Sequence, residues 1–493
     1  MDKALDLPNR SRIPQFLIIL FFVEMWERFS YYGMRALLVI YLTSHLGFED
    51  AKAYAIYSLF AAIGYSGPVL GGFIADKLMG FRNMVLLGGI IITLGHLSLT
   101  LTGLTSDLLY IGLALIAVGT GMFKGNVTSL LGECYKEEDP DRIRGFTLFY
   151  VSVNLGSFLA SILCSYVAHL FGWHYGFGLA GIGMIIGLIS FIKFEHLLGD
   201  AGICPRPEIM NKKIFGTNIF GLAIIGSLLL AFIVSKMLMD SEFFANVLAL
   251  TGAVIFCLFT YIIFTSIALE RKKLIVLSIF ITFLLCFFAL EMQLGSMISL
   301  FVQRNVVKEV LGFAVPASVA QAINPFSVMI FGSLITRYMN FDKKYVTSIF
   351  AFGLLTMAIC FFILYIGCLN PDKEGRVGYL YIVIALSFMA LGELCTAPLV
   401  QEQATLLAPK RIKGLIMGIL MLSVAFSNLA GIIISKFMSV PSVNGEVDSF
   451  ESLAIYKAGF WNIGIFNLGV VIVFLLLSVY VHRAILQFGE TKA

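Results

Sequence analysis

The 493-residue sequence has few charged residues for its length. Asp, Glu, Lys and Arg make up 13% of it, whereas a typical soluble domain is about a quarter charged. Hydrophobic residues reach 59%, and the mean hydropathy is +0.93. Two or three soluble domains, which the length alone would suggest, are therefore excluded. The 45 Phe and 46 Gly are typical of transmembrane helices, where Gly allows helices to pack closely.

Residues that ligate metals or form nucleophile–base pairs are also scarce. The eight cysteines lack paired metal-ligand spacing, and the six histidines are scattered, with His96 deep in an apolar segment. We therefore expect no enzyme, no metal site and no cofactor. The basic clusters are short and flank apolar segments, so the net charge of +4 does not indicate a nucleic-acid partner.

Apolar segments of the length that spans a bilayer, roughly 20 residues, recur along the chain. We count fourteen, and the seventh and eighth carry almost no polar residues beyond Ser, Thr and Asn. The predicted spans are 14–43, 53–79, 83–104, 107–131, 145–170, 174–194, 215–235, 243–269, 274–302, 313–338, 345–368, 377–407, 412–438 and 457–483.

The distribution of Lys and Arg tests this count, because cytoplasmic loops carry an excess of both. If the N-terminus is cytoplasmic, that side collects 23 of the 34, including Lys212 and Lys213, and the outer side collects eight. The excess stays on one side along the whole chain. We therefore expect a multi-pass protein with both termini in the cytoplasm.

Two similar segments suggest an internal repeat. Residues 140–145 (PDRIRG) and 409–414 (PKRIKG) are 269 positions apart, and the same offset carries Lys124 onto Glu393. Transporters are often built from such repeats, which meet around a mid-membrane site. We expect two six-helix halves, 14–194 and 274–483. Residues 195–273 would form a linker with an inserted transmembrane hairpin.

The first predicted span carries a polar stripe on one helix face. At 100° per residue, Glu24, Glu27, Arg28, Tyr31 and Arg35 fall within about 100° of one another. The opposite face is apolar along the whole span. Because a charge at mid-bilayer is costly, such residues usually face a polar cavity. The stripe predicts a cavity-lining face.

Three further charged residues lie deep inside predicted spans, away from the span ends: Lys124, Glu291 and Glu393. With the stripe they make three cations and four carboxylates, and the extra carboxylate suits a site that binds a proton. Fixed charges of both signs suit a zwitterion with separated ends. A small peptide is the natural substrate, and an amino acid or another organic anion is an alternative.

At these residues the sequence resembles the proton-dependent oligopeptide transporter (POT, or PTR) family of the major facilitator superfamily. The most specific match is Glu24-x-x-Glu27-Arg28-Phe29-x-Tyr31-Tyr32-Gly33, followed by Arg35. The resemblance implies an all-α membrane protein of fourteen transmembrane helices, as two six-helix bundles plus an inserted two-helix hairpin. Further matching segments are 71–82, 123–126, 146–157, 321–325 and 392–394.

The resemblance also implies roles for individual residues. Arg35 and Lys124 would bind the carboxylate of the peptide, and Glu393 would bind its amino terminus. Asn154 and Asn324 would form hydrogen bonds with the peptide backbone. The pocket would be lined by Tyr31, Tyr32 and Tyr65. Glu24, Glu27 and Arg28 would couple protons, and Glu291 would pair with Arg35 at an extracellular gate.

The chain departs from the family pattern at four positions. Gly125 stands where Pro is common, Leu420 where Trp is expected, and Ala397 where Ser often precedes Pro398. Met292 separates Glu291 from Gln293, which are adjacent in the family. One residue of displacement rotates a side chain by 100° around a helix, which bears directly on the Arg35–Glu291 pair.

The resulting expectation is a proton-coupled symporter that imports di- and tripeptides by alternating access across a bacterial inner membrane, functioning as a monomer. The same fold carrying nitrate or another small organic anion is an alternative. A non-transporting peptide sensor is another, although the sequence has no sizeable cytoplasmic domain for signalling.

Overall fold

A computed structural model describes residues 13–136, 139, 141–210, 216–310, 312–338, 343–441 and 447–490. Pro140 of the first repeated segment, together with Lys212 and Lys213, lies outside the described residues.

The described chain is dominated by fourteen long helices, which confirms the predicted all-α fold of fourteen transmembrane helices. Thirteen combine the length and apolar composition of a membrane span; α1 has the length but carries four charged residues. The helices are α1 (Gln15–Ser44), α2 (Asp50–Ile74), α3 (Phe81–Thr100), α4 (Asp107–Glu133), α5 (Arg142–Phe171), α6 (Trp173–Phe194), α7 (Ile219–Met239), α8 (Ser241–Thr265), α9 (Ala268–Asn305), α10 (Ile323–Tyr338), α11 (Val346–Leu369), α12 (Tyr379–Leu407), α13 (Lys413–Lys436) and α14 (Ser449–Glu490).

Helices form here because a segment in hydrocarbon must satisfy its own backbone hydrogen bonds. The 30 residues of α1 give about 45 Å of helix, more than the roughly 30 Å hydrocarbon core of a bilayer. Short elements connect some of the spans. Residues Glu309–Val310 and Phe313–Ala314 pair as a two-stranded antiparallel hairpin, and a short helix, Pro207–Met210, precedes α7.

The long helices pack as two groups with a hairpin between them in sequence. Among α1–α6, α3 packs on α4, α1 on α5 and α6, and α2 on α4. Among α9–α14, α11 packs on α12 and α14, α10 on α12, and α9 on α13. The inserted helices lie outside these groups: α7 contacts α4, and α8 contacts α2, α9 and α13. The predicted boundaries 14–194, 195–273 and 274–483 remain a prediction.

Two helices depart from the regular spans that the sequence predicts. In α9 the α-helix stops at Glu291, a 3₁₀ turn covers Met292–Gly295, and the α-helix resumes at Met297. The predicted span 313–338 begins as a strand and then a 3₁₀ turn, Ala317–Ala322, before α10. Pro316 precedes that turn with a backbone conformation outside the α-helical region, so a continuous helix cannot start earlier.

Because the fourteen helices alternate in direction, α1 begins and α14 ends on the same side of the structure. We call this the terminal side and the opposite one the far side. Helix α2 starts on the far side at Asp50, and α9 and α13 end there at Asn305 and Lys436.

Candidate functional site

The first polar cluster lies on the terminal half of α1 and is built around Arg28. Its guanidinium contacts both Glu24, at 3.2 Å from Nε to Oε1, and Glu27, at hydrogen-bond distance. All three side chains are at most 3% exposed. Arg28 also lies 5.4 Å from the centre of the Tyr31 ring, which stacks on Phe60 of α2. One cation therefore serves two carboxylates inside the bundle.

Lys124 on α4 lies next to this cluster but is not in direct contact with it. Its Nζ is 4.2 Å from the centre of the Tyr65 ring of α2, in a cation–π arrangement. Within the described chain no carboxylate oxygen is within 4.0 Å of Nζ, although Glu24 and Glu27 are near enough to interact with it electrostatically. Lys124 thus keeps its ammonium group free of a tight ion pair.

Arg35 forms a third centre on α1, two turns beyond Arg28. Its Nε donates a hydrogen bond of 2.6 Å to Tyr57 Oη, and its Nη2 lies 3.9 Å from Met292 Sδ. The guanidinium also lies over the Tyr32 ring, 5.5 Å from its centre. Arg35 is 5% exposed, so its guanidinium is surrounded by protein groups such as Tyr57, Met292 and Tyr32 rather than by solvent.

The ion pair between Arg35 and Glu291 that the family resemblance implies is absent. Both residues are described, and no Arg35 nitrogen lies within 4.0 Å of a Glu291 carboxylate oxygen. The reason is the local course of α9: the α-helix ends at Glu291, and Met292, the extra residue in the motif, presents its sulfur to Arg35. Glu291 instead lines the neighbouring cavity, and its buried Oε2 accepts no hydrogen bond from the described residues.

A cavity of about 60 Å³ lies between the two bundles beside Arg35 and Glu291. The first bundle contributes Arg35 and Tyr32 from α1 and Asn154 from α5. The second contributes carboxylates from two helices and amides near the start of α10. The other residues that line the cavity, from both bundles, are Tyr150, Val153, Ser157, Ser161, Glu291, Leu294, Gln321, Asn324, Pro325 and Glu393.

The amide groups in the cavity keep hydrogen-bonding capacity. Asn154 donates from Nδ2 to the Tyr150 carbonyl at 3.0 Å, and its Oδ1 is an acceptor. Asn324 is 7% exposed, and its Nδ2 has no acceptor among the described residues. Beside one guanidinium and two carboxylates, such amides suit a ligand that has both donors and acceptors.

The twelve predicted site residues therefore fall into three adjoining groups. Six line the cavity: Tyr32, Arg35, Asn154, Glu291, Asn324 and Glu393. Lys124 and Tyr65 form a pair, and Glu24, Glu27 and Arg28 form the buried cluster against Tyr31.

On the far side, ion-pair and hydrogen-bond contacts join the two bundles. Arg304, near the end of α9, contacts both oxygens of Asp50 at the start of α2, at 2.6 and 2.7 Å. The backbone N–H of Val440 also donates to Asp50 at 3.0 Å. Nearby, Gln321 donates to Ser299 at 2.9 Å and reaches the carbonyl of Ala36 at 3.5 Å. The far side is closed.

On the terminal side, α4 of the first bundle, which carries Lys124, and α12 of the second, which carries Glu393, do not pack closely on each other within the described residues. Beyond these two charges, Thr128 and Gln401 are exposed on their helices. The ion pair between the bundles therefore lies on the far side of the cavity, and α4 and α12 are less closely packed on its terminal side.

Several residues of this arrangement were missed from the sequence. Asp50 lies in the first turn of a helix and Arg304 in a last turn. Acidic and basic residues are common at these positions because they interact favourably with the helix dipole, so neither residue indicates an ion pair by itself. Gly295 has no sequence signal, although a Cβ there would lie 2.0 Å from Tyr57 Oη.

This arrangement of two six-helix bundles around a charged cavity is that of a major facilitator transporter. Residues 82–451 match the POT family, and the chain belongs to that family. Dipeptide and tripeptide permease A of Proteus mirabilis (strain HI4320) is 32% identical over 481 residues, which cover 97% of this chain and 96% of that protein. The permease of the same name from Escherichia coli (strain K12) is 31% identical over 487 residues, covering 98% and 96%.

Solved structures show the same likeness in three dimensions. One, from work on substrate recognition in proton dependent oligopeptide transporters, has a TM-score of 0.82 and 26% identity, covering 96% of this chain and 99% of that one. A peptide transporter POT in complex with sulfate has a TM-score of 0.80 and 26% identity, covering 97% and 96%.

Proposed function

We propose that this protein is a proton-coupled symporter that imports di- and tripeptides by alternating access. The observation that carries the proposal is the cavity between the bundles, whose wall combines the guanidinium of Arg35, the carboxylates of Glu291 and Glu393, and the amides of Asn154 and Asn324. A peptide is a zwitterion with a polar backbone, and this wall offers a partner for each of its parts. The permease relatives, named for dipeptides and tripeptides, support the same substrate class.

The substrate's carboxylate is assigned to Arg35 and Lys124, and its ammonium group to Glu393. Asn154 and Asn324 take the backbone amide, and Tyr31, Tyr32 and Tyr65 shape the pocket. At about 60 Å³ the cavity is well below the roughly 300–1,000 Å³ of ligand sites. Peptide binding therefore requires the cavity to widen toward Lys124 on the terminal side.

Proton coupling is assigned to Glu24, Glu27, Arg28 and Glu291. Arg28 neutralises one of its two carboxylate partners, which leaves Glu24 and Glu27 with one negative charge in excess. A proton on either would neutralise the cluster and loosen its hold on Arg28. An inward proton gains about 2.3 kcal/mol per 100 mV of membrane potential, which can drive uptake.

The terminal side is assigned to the cytoplasm of a bacterial cell, with the protein in the inner membrane and both termini inside. Lys and Arg support this orientation, since 23 lie on that side and eight on the other. The structure then represents a state closed to the outside. A complete cavity within one chain is consistent with function as a monomer, and the coupling ion is the proton, without a cofactor.

A simple anion such as nitrate fits the cavity less well. Nitrate could form an ion pair with Arg35, but it would lie beside two carboxylates, Glu291 and Glu393, and has no positive group to pair with them. The same argument disfavours a substrate that is only an organic anion.

The test is peptide-driven proton uptake in proteoliposomes with a lumenal pH dye. Di-alanine should acidify the lumen, whereas nitrate should not. Lys124→Ala and Glu393→Gln should each reduce coupled uptake by more than tenfold, while Lys457→Ala, an exposed cation on α14, should retain it. Wild-type coupled uptake in both site variants would contradict the assignment of these residues.

A further inference from the structure

A cavity of about 890 Å³ lies well outside the charged site, between α8 of the inserted hairpin and helices α2, α9 and α13. Its volume is close to the upper end of the roughly 300–1,000 Å³ that ligand sites occupy. Most of its wall is apolar. It touches both bundles, since α2 belongs to one and α9 and α13 to the other. We call it the hairpin groove.

Small side chains of α8 form part of the groove wall. Ala245, Ala249 and Gly252 line it from α8, opposite Phe426 of α13. At Gly252 the helices are so close that a Cβ would lie 2.9 Å from the Phe426 ring, and elsewhere the small residues leave open volume. Along α13 the lining runs from Ile419 to Lys436, about 25 Å of helix. The groove is therefore longer than the hydrocarbon of one leaflet, which is about half of the 30 Å core of a bilayer.

Four charged side chains line the groove at its far-side end. Two are cations, Lys52 at the start of α2 and Lys436 at the end of α13. Two are carboxylates, Asp240 and Glu242, at the start of α8. In the described part of the chain none of the four belongs to an ion pair. Lys52 lies over a Phe48 ring, and Asp240 accepts a 3.4 Å hydrogen bond from the start of α8.

We propose that the hairpin groove binds one phospholipid with an ethanolamine headgroup. The acyl chains would occupy the apolar length of the groove, the phosphate would contact Lys52 and Lys436, and the ammonium group would contact Asp240 and Glu242. The two pairs of opposite charge match a zwitterionic headgroup. An anionic headgroup would satisfy the lysines and leave the carboxylates unpaired. A choline headgroup cannot donate hydrogen bonds to them, whereas a primary ammonium has three donors.

This site places one ligand across both bundles. Lys52 belongs to the first bundle and Lys436 to the second, and both lie on the closed far side. A phosphate held by both lysines would stabilise that closed state relative to one in which α2 and α13 separate. Lipid binding in the hairpin groove does not depend on the identity of the transported substrate.

The experiment is native mass spectrometry of the full chain, delipidated in detergent and titrated separately with phosphatidylethanolamine, phosphatidylglycerol and phosphatidylcholine of the same acyl chains. We expect one phosphatidylethanolamine to bind, with at least about tenfold preference over the other two, as loss of a charged hydrogen bond implies. Lys436→Ala should weaken this binding about tenfold, and Lys457→Ala, a cation outside the groove, should not.

A second pair of variants tests the acyl-chain site without altering charge. Ala249→Trp fills the groove and should abolish binding, whereas Leu250→Trp, at a position 68% exposed on the outer face of α8, should leave it intact. Equal retention of all three lipids would overturn the headgroup assignment. Undiminished binding to Ala249→Trp would overturn the groove as the site. A dimer that Ala249→Trp dissociates would overturn the lipid as occupant in favour of a second copy.

Discussion

Arg304 contacts both carboxylate oxygens of Asp50 across the boundary between the two bundles, at 2.6 and 2.7 Å. The two residues are 254 positions apart in the chain. Their side chains are 14% and 3% exposed, respectively. A bidentate pair of this kind has strict geometry, and here it lies where α2, α9 and the end of α13 meet. It is an ionic contact between the two bundles on the closed far side, separate from the cavity that Arg35 and Glu291 line.

Asp50→Asn should therefore destabilise the closed far side. The substitution leaves the largely buried Arg304 guanidinium without its counter-charge, a loss of about 3–5 kcal/mol for a buried pair. We expect the midpoint of thermal unfolding in detergent to fall by several degrees. We also expect a cysteine introduced near Val440 to react faster with a membrane-impermeant maleimide.

The matched control is Asp372→Asn. Asp372 pairs with Arg376 at 3.0 Å, but both side chains are more than a third exposed, so its loss should cost less than about 1 kcal/mol. Backbone hydrogen bonds from the segment up to Arg376 lower the pKa of the Asp372 carboxyl, so this pair is present at neutral pH. Equal shifts in unfolding temperature for the two variants would contradict a gating role for Asp50.

Met292→Glu should create the ion pair that this chain lacks. The Met292 sulfur lies 3.9 Å from Arg35 Nη2, so a carboxylate at that position would be within reach of the guanidinium. The new pair would hold α1 against α9 and slow the opening of the far side. We expect peptide uptake in proteoliposomes to fall by more than tenfold while the unfolding temperature rises.

Met292→Leu is the control, since it conserves volume and apolar character and should cost less than about 1.5 kcal/mol. Its uptake should stay within about twofold of wild type. A loss of uptake in the leucine variant as large as that in the glutamate variant would show that packing at position 292, rather than a new charge pair, controls transport.

The polar face of α1 was predictable from sequence because charges on an otherwise apolar membrane helix must face a polar cavity or pair with one another. Glu24, Glu27 and Arg28 are in contact in the structure. The Asp50–Arg304 contact was not predictable, because each residue alone reads as an ordinary helix-end charge and only the fold brings them together. The partner of Arg35 was not predictable either, since it depends on a 3₁₀ turn in α9 that helical periodicity does not reveal.

Gly295→Ala should displace the hydrogen bond between Arg35 and Tyr57. A Cβ at position 295 would lie 2.0 Å from Tyr57 Oη and 2.9 Å from Arg35 Nε, so both side chains would have to move. We expect uptake to fall by at least about tenfold, consistent with loss of a charged hydrogen bond. Gly418→Ala on α13, where a Cβ meets nothing within 4 Å, should retain uptake. Wild-type uptake in Gly295→Ala would show that Arg35 does not need Tyr57.

Gly71→Ala tests the packing that positions Lys124 and Tyr65 on neighbouring helices. A Cβ at Gly71 would lie 2.3 Å from the carbonyl oxygen of Gly121, so α2 and α4 would have to separate. Overpacking of this kind costs about 1–3 kcal/mol, and we expect a lower unfolding temperature together with weaker peptide binding by isothermal titration calorimetry. Gly72→Ala, one residue along, meets nothing within 4 Å. Alanine in a helix interior is favoured over glycine by about 1 kcal/mol, so this control should be neutral or stabilising. If both variants bind peptide as wild type does, the close approach of α2 to α4 is not what holds Lys124 at the site.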